Sequence, residues 1–385
     1  MKQHAEQRNG QPRHSARRRT VRLVVMAVAL TLVAQMGLLV LILGREGRAL
    51  VEGYLLARFA FIERDADLSV GVDSALEGLV AGLGDRWSYY RNQEGYEMLR
   101  HTRANNYVGI GITVTQEREE GIFVQGVSAG GPAAQVGVRP GDIILAVDGQ
   151  DASGDRRQEA LDRISGEEGT AVELTLLGED GTIRTVTCIR ATLRASSATG
   201  RMLEEQVGYV YLANFYTGSA ESFRTEVEKL VAQGAKSLVI DLRNDPGGYI
   251  NELKEILDYL LPAGPVFREQ SRWWRETVFE SDAAHVGLPM VTLVNAHTYS
   301  AAELLAAQLK ESVAAPVVGE RTSGKGYSQI TFQLSNGGGL GLSVARYCLG
   351  SGISLIGTGI VPDVELQLEQ ERDNQLEAAL ALLKS

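Results

Sequence analysis

Histidine and cysteine are scarce in this 385-residue chain, with five of the first and two of the second. His4 and His14 lie near the amino terminus, so only His101, His285 and His297 are open to a Ser-His-Asp arrangement. No Gly-x-Ser-x-Gly elbow surrounds Ser300, the serine of interest below, although His297 stands three residues before it. No His-Glu-x-x-His or paired-cysteine spacing occurs, so neither a metal nor any other cofactor is expected. Cys188 and Cys348 fall in different expected domains, which points to free buried thiols rather than a disulfide framework. Basic charge is also lacking once residues 1–43 are set aside. Those residues carry seven of the 38 basic and one of the 48 acidic side chains, leaving 31 basic against 47 acidic, a net charge near −16. Such an acidic body argues against nucleic acid as a partner. Internal repeats and low-complexity segments are absent too.

What is present begins with a run of 21 residues without a charge, 23–43. As a helix at about 1.5 Å per residue it spans about 30 Å, enough to cross a bilayer. Lys2, Arg8, Arg13, Arg17, Arg18, Arg19 and Arg22 precede it against the single acid Glu6, so the positive-inside rule puts residues 1–22 in the cytoplasm and the rest of the chain outside. A cleaved signal peptide is the alternative, but the run exceeds the usual apolar length and no small-x-small site follows it. The expectation is a single-pass anchor in the cell membrane. Residues 57–62 and 72–83 then show apolar residues at helical spacing, as do Leu376, Leu380 and Leu383 within 370–384; these faces either close the core or form a homodimer. The polar stretch 194–200 is the best hinge candidate.

Chemistry is suggested at Ser300, where an apolar strand over 290–295 runs out and a helix over 301–310 begins. Free N–H groups and the positive dipole end of a helix favour developing negative charge at that address. Lys325 follows inside Gly324-Lys325-Gly326. It can act as the base of that serine if burial lowers its pKa enough to populate the neutral amine. Residues 327–334 read as a strand, whose period of two places Lys325, Gln329 and Gln333 on one face, so Gln329 could hold the amine by a hydrogen bond. The plainer reading of Ser300 is a helix N-cap, and of Lys325 a solvated turn. The run 237–240 leads into Asp241-Leu242-Arg243-Asn244-Asp245-Pro246-Gly247-Gly248, a buried strand ending in a glycine turn whose N–H groups could face an oxyanion.

These blocks, with Ser300-Ala301-Ala302-Glu303, Gly319-Glu320-Arg321-Thr322-Ser323-Gly324-Lys325-Gly326 and Gly359-Ile360-Val361-Pro362-Asp363-Val364, resemble the signatures of the carboxyl-terminal processing peptidases. The stretch Gly78-Leu79-Val80-Ala81-Gly82-Leu83-Gly84-Asp85 before Trp87-Ser88-Tyr89-Tyr90 is similar to that family's upstream block. The resemblance implies a serine endopeptidase with Ser300 as nucleophile, Lys325 as general base and Gln329 orienting the lysine. Its oxyanion donors would be the N–H of Ala301 and one from Gly247 or Gly248. Two positions depart from the family's habit: Ala302 stands where a serine or another small residue is usual, and Asp245 where asparagine is usual. Asp245 would place a carboxylate beside the proposed oxyanion site.

From residue 106 to about 192, Gly109-Ile110-Gly111-Ile112 opens a strand with a glycine-punctuated loop whose bare donors could receive a peptide's terminal carboxylate. Further on come Ser128-Ala129-Gly130-Gly131-Pro132 at a helix start, a Pro140-Gly141 turn and an Asp148-Gly149 hairpin signal. Together they resemble a PDZ domain. The arginine that in the family precedes the glycine near the end of the PDZ helix is replaced here by Ser165 before Gly166, so coupling through that arginine is not expected. The expected architecture is an α/β multidomain chain: basic tail 1–22, transmembrane helix 23–43, helical region 44–103, PDZ domain 104–192 and an α/β peptidase core 193–385. Peptides or proteins with free carboxyl termini are the expected partners. A catalytically silent PDZ scaffold and a hydrolase with a histidine base are the competing readings.

Overall fold

The computed structural model describes residues 13–63, 65–115, 118–272 and 276–384. The first twelve residues of the basic tail, Lys2 and Arg8 among them, lie outside the described residues. The chain divides into two compact units, one ending at Ala75 and the other beginning at Leu76.

The first unit is dominated by a long helix, Arg13–Ala60, interrupted at Gly44, whose φ of 62° and ψ of −164° are not helical. The break falls directly after the uncharged run. Among the described residues no helix is long and apolar enough to cross a membrane. The anchor expected over 23–43 therefore rests on the sequence alone.

The second unit is built on a six-stranded sheet in the order Ala198–Met202, Val207–Leu212, Ser237–Asp241, Met290–Val294, Val317–Gly319 and Val364–Glu365. Its first pair is antiparallel and the rest are parallel. Every residue of Ser237–Asp241 and Met290–Val294 is buried, as strands with helices on both faces require. Leu238, Ile240 and Val294 pack with Phe223, Leu257 and Leu305 from the helices Ser219–Ala232, Ile250–Leu260 and Ala301–Val313. Val239, Val291 and Leu293 pack instead with Ala379 and Leu376 of the carboxyl-terminal helix Asn374–Leu383. Arg243 clamps that helix down: it is buried, and its guanidinium reaches Asp241, Asp373 and Gln375 at once.

A second sheet runs Tyr89–Arg91, Gly339–Leu349, Gly264–Ser271, Thr277–Ser281, with Tyr327–Gln333 also pairing with Gly339–Leu349. Gly341 must be glycine, since a Cβ there would meet the Tyr89 ring at 2.4 Å.

Residues 106–194 leave and return through one two-stranded pairing, Asn106–Gly109 with Ala191–Arg194. Between them lies a six-stranded sheet with its own core of Ile122, Ile144, Leu174 and Leu176, covered by the helix Arg157–Ile164. Strand Ile112–Thr115 is at the sheet's edge and, among the described residues, pairs only with Ile122–Val127. Arg190 ties off the helix end, donating to the carbonyls of Arg163 and Ile164 at 2.6 and 3.0 Å. A side chain at Gly166 would collide with that guanidinium.

The hinge expected over 194–200 is not what the structure shows. Ala198–Met202 is a strand, Ala195 N–H donates to the Asn105 carbonyl at 2.7 Å, and Ser197 is buried and bonded to Asn105 and Asn214. The polarity that reads as a hinge is consumed by this network. Both cysteines are free, and burial pushes the Cys188 thiol up to about 11.

Candidate active site

Strands Ser237–Asp241 and Met290–Val294 are parallel neighbours, so the turns that leave their carboxyl ends lie side by side. Ligand sites of open α/β sheets form at such ends. The second strand delivers Ser300, the residue before helix Ala301–Val313, in the left-handed region with φ 65° and ψ −125°. A non-glycine residue held there costs on the order of 1–3 kcal/mol and needs a surrounding structure that fixes it.

Glu303 supplies much of that fixing. It is fully buried; Oε2 accepts from the N–H of Ser300 and of Lys325, both at 2.9 Å, while Oε1 accepts from Gly324 N–H at 2.7 Å and Thr322 Oγ1 at 2.5 Å. One carboxylate at the first turn of the helix thus joins the Ser300 corner to the Lys325 loop. Glu303 stands in the Ser-Ala-Ala-Glu block, where its spacing of three from a helix-starting serine is the signal in the sequence that marks this role.

Ser300 Oγ meets the buried Tyr347 hydroxyl at 2.9 Å, and that hydroxyl also donates to the Lys325 carbonyl at 3.2 Å. Sequence reasoning missed Tyr347, which arrives from Gly339–Leu349 through pairing with Tyr327–Gln333. No hydrogen bond joins Ser300 Oγ to Lys325 Nζ among the described residues; both line one open cavity of about 960 Å³.

Lys325 Nζ donates to Gln329 Oε1 at 3.0 Å, and the Gln329 amide donates in turn to the Trp87 carbonyl, which fixes which end faces the lysine. The ammonium lies 5.0 Å from the Trp87 ring centroid and 5.7 Å from that of Tyr299. Burial, helped by repulsion from Arg103 and opposed by Asp85 and Glu303, lowers its pKa to about 8. Gln329 is a neutral acceptor, so it holds the amine without a countercharge that would raise the pKa again.

The glycine turn packs on the serine corner so closely that a Cβ at Gly247, φ 76°, would lie 2.8 Å from Ala301 N and 2.9 Å from Ser300 Cβ. Gly247 N–H donates to Asp245 Oδ1 at 2.7 Å. The pair Gly247 and Gly248 is thereby narrowed, because the N–H of Gly248 has no such partner among the described residues. Asp245 is buried, and burial raises its pKa well above the carboxylate range.

His101, His285 and His297 are exposed, and none lines the cavity, so a histidine base finds no support in this geometry. Among the described residues no group of three or more His, Cys, Asp or Glu is placed to hold a metal ion.

In the loop 109–112, Ile110 is buried and its carbonyl accepts from Ala133 N–H at 2.9 Å, while the Gly111 carbonyl accepts from Ser128 N–H at 2.8 Å. Gly111 has φ 79°. With the carbonyls tied back, the N–H groups of Ile110 and Gly111 engage no backbone acceptor among the described residues, beside the edge strand Ile112–Thr115.

Comparison with known proteins identifies relatives over most of the chain. The model of peptidase family S41 matches residues 206–366, and that of the PDZ domain matches 98–177. A carboxyl-terminal-processing protease of Picosynechococcus sp. is 31% identical over 350 residues, covering 86% of this chain and 84% of the relative. The chloroplastic C-terminal processing peptidase of Tetradesmus obliquus is 30% identical over 314 residues, covering 77% and 68%. The carboxy-terminal processing protease CtpA of Bacillus subtilis is 30% identical over 77% of this chain, which spans 64% of that relative's length. Among solved structures, the photosystem II D1 C-terminal processing protease superposes with a TM-score of 0.50 at 28% identity, covering 89% of this chain and 92% of that one.

Proposed function

Because the chain belongs to the carboxyl-terminal-processing serine proteases of peptidase family S41, we propose that Ser300 is the nucleophile and Lys325 the general base of an endopeptidase, with Gln329 orienting the lysine. The observation that carries this reading is the meeting, in one cavity, of a serine strained into a strand-to-helix corner and a lysine whose amine titrates near 8. In the first step the Ser300 hydroxyl turns from Tyr347 toward Nζ and gives up its proton as Oγ attacks the peptide carbonyl. The oxyanion that forms lies against the N–H of Ala301, where the helix dipole adds its positive end, and that of Gly248. The lysine then passes the proton to the leaving amine, and water releases the acyl group by the same route.

The PDZ domain, taken as 104–192, presents the loop 109–112 and the adjoining edge strand to substrate carboxyl ends, and the peptidase core occupies 193–385. The uncharged run 23–43 anchors the protein in the cell membrane, with the catalytic part outside the cytoplasm. The arginine-rich tail supports this orientation.

One experiment tests the dyad and the anchor together. Washed membranes from cells expressing the wild type should cleave an added unstructured polypeptide; membranes with Ser300→Ala or Lys325→Ala, present at equal amounts, should not. Wild-type turnover by Lys325→Ala would remove the lysine from its role. Activity recovered only in the soluble fraction would remove the anchor and leave the chemistry intact.

A further inference from the structure

Asp245 is a fully buried carboxyl group one turn from the proposed nucleophile, and the steps above make no use of it. Its Oδ1 accepts from Gly247 N–H, and its Oδ2 has no hydrogen-bond partner among the described residues. Its own backbone holds the corner too, since Tyr299 N–H donates to the Asp245 carbonyl at 3.2 Å. The surrounding titratable and charged groups offer no compensation. Tyr211, Tyr216 and Tyr299, on the neighbouring strand, the loop after it and the approach to Ser300, are all held neutral by burial. Arg243, the nearest cation along the chain, spends its guanidinium on Asp241, Asp373 and Gln375. A buried carboxylate with one satisfied oxygen and no cation takes up a proton rather than stay charged.

We propose that Asp245 works as a neutral carboxylic acid: a positioning residue that holds the Gly247-Gly248 turn against the Ser300 corner without setting a negative charge beside the developing oxyanion. In this state it has the shape and the acceptor of an asparagine. Its Oδ1 keeps the Gly247 N–H engaged, so the turn offers the neighbouring Gly248 N–H to the cavity. Ionisation would place an anion where the transition state is also building one, which removes the electrostatic benefit of the paired donors. The proposal rests on the reading of Gly248 and Ala301 as oxyanion donors, and part of its test is independent of that reading.

The test compares the full-length wild type with Asp245→Asn, which keeps the shape and cannot ionise. Infrared spectra of protein labelled at the aspartate carboxyl carbon should show one protonated-carboxyl band at about pH 7 that is missing from the variant. Unfolding measured against pH should show the wild type losing stability relative to the variant as pH rises, because a carboxyl whose folded-state pKa is raised stabilises only while it is protonated. Turnover of Asp245→Asn should lie within about threefold of wild type near neutrality, and the variant should keep activity on the alkaline side where the wild type declines. Absence of the band, a loss of more than about tenfold in the folded variant near neutrality, or one and the same alkaline decline in both proteins would overturn the assignment. If the band is present but neither protein cleaves peptides, the peptidase reading fails and the protonated state of Asp245 stands.

Discussion

Replacing Glu303 by glutamine isolates what its buried carboxylate does for the site. The carboxylate receives Ser300 and Lys325 N–H on Oε2, with a long third contact from Ser323 Oγ, and Gly324 N–H and Thr322 Oγ1 on Oε1. Glutamine keeps one oxygen and turns an amide NH₂ toward the other pair, leaving two buried donors facing a donor. Each stranded donor costs about 1–3 kcal/mol. Lys325 is only partly buried, so water can reach its end of the pair and the lower half of the range applies. The expected local destabilisation is about 3 kcal/mol, which corresponds to roughly 100-fold faster amide exchange at 1.4 kcal/mol per decade. The faster-exchanging amides should be those of Ser300, Gly324 and Lys325, with the distant strand Ala171–Leu177 unchanged. Because the same carboxylate positions both members of the proposed dyad, turnover should fall by about 100-fold as well, the size of effect expected when reacting groups drift by about 1 Å. Amide exchange resolved by residue, with turnover measured on the same preparation, reads both. Protection within about threefold of wild type at those three amides, together with wild-type turnover, would refute the idea that Glu303 welds the two segments.

The remaining predictions concern protons and peptides. Turnover should rise with pH through the Lys325 pKa of about 8, and Arg103→Ala, by removing a repelling charge, should move that midpoint upward; an unmoved midpoint would show that Arg103 exerts no such influence. The folded-state pKa of Lys325 lies below its ordinary 10.5, so its contribution to stability is present at high pH and lost as pH falls through about 8. Lys325→Met should therefore be inactive yet more stable than wild type by about 3 kcal/mol at pH 6, with the gain vanishing above about pH 11; equal unfolding midpoints at both pH values would contradict this. In the full chain carrying Ser300→Ala, peptides with a free apolar carboxyl end should bind more tightly than their amidated forms, and identical calorimetric titrations would deny the loop 109–112 its carboxylate.

The parts of this molecule that are local in sequence were legible there. The apolar run ending near Val294 and the helix from Ala301 are set by a few consecutive side chains, so the corner at Ser300 could be placed to the residue. The strand Tyr327–Gln333 was legible for the same reason, and the contact from Lys325 to Gln329 follows from a separation of four, even though a bulge interrupts the pairing between Ser328 and Gln329. Tyr347 was not legible, because nothing in its own neighbourhood marks it. It reaches Ser300 only through the register that sets Tyr327 opposite Arg346, a property of two strands together. Arg243 to Asp373 spans 130 residues and was invisible for the same reason.

Composition misled at 194–200, where serine and small residues are as common in a tied-down network as in a hinge, and only the position of Asn105 distinguishes the two. Asp245 shows a different limit, because its identity was legible while its charge was not. A carboxyl beside the proposed oxyanion site reads as a liability only if it is ionised. Whether it ionises depends on the burial around it and on Arg243 being committed elsewhere, and both come from residues far along the chain. At Asp245 the departure from the family pattern turns on a proton, and the fold decides where that proton sits.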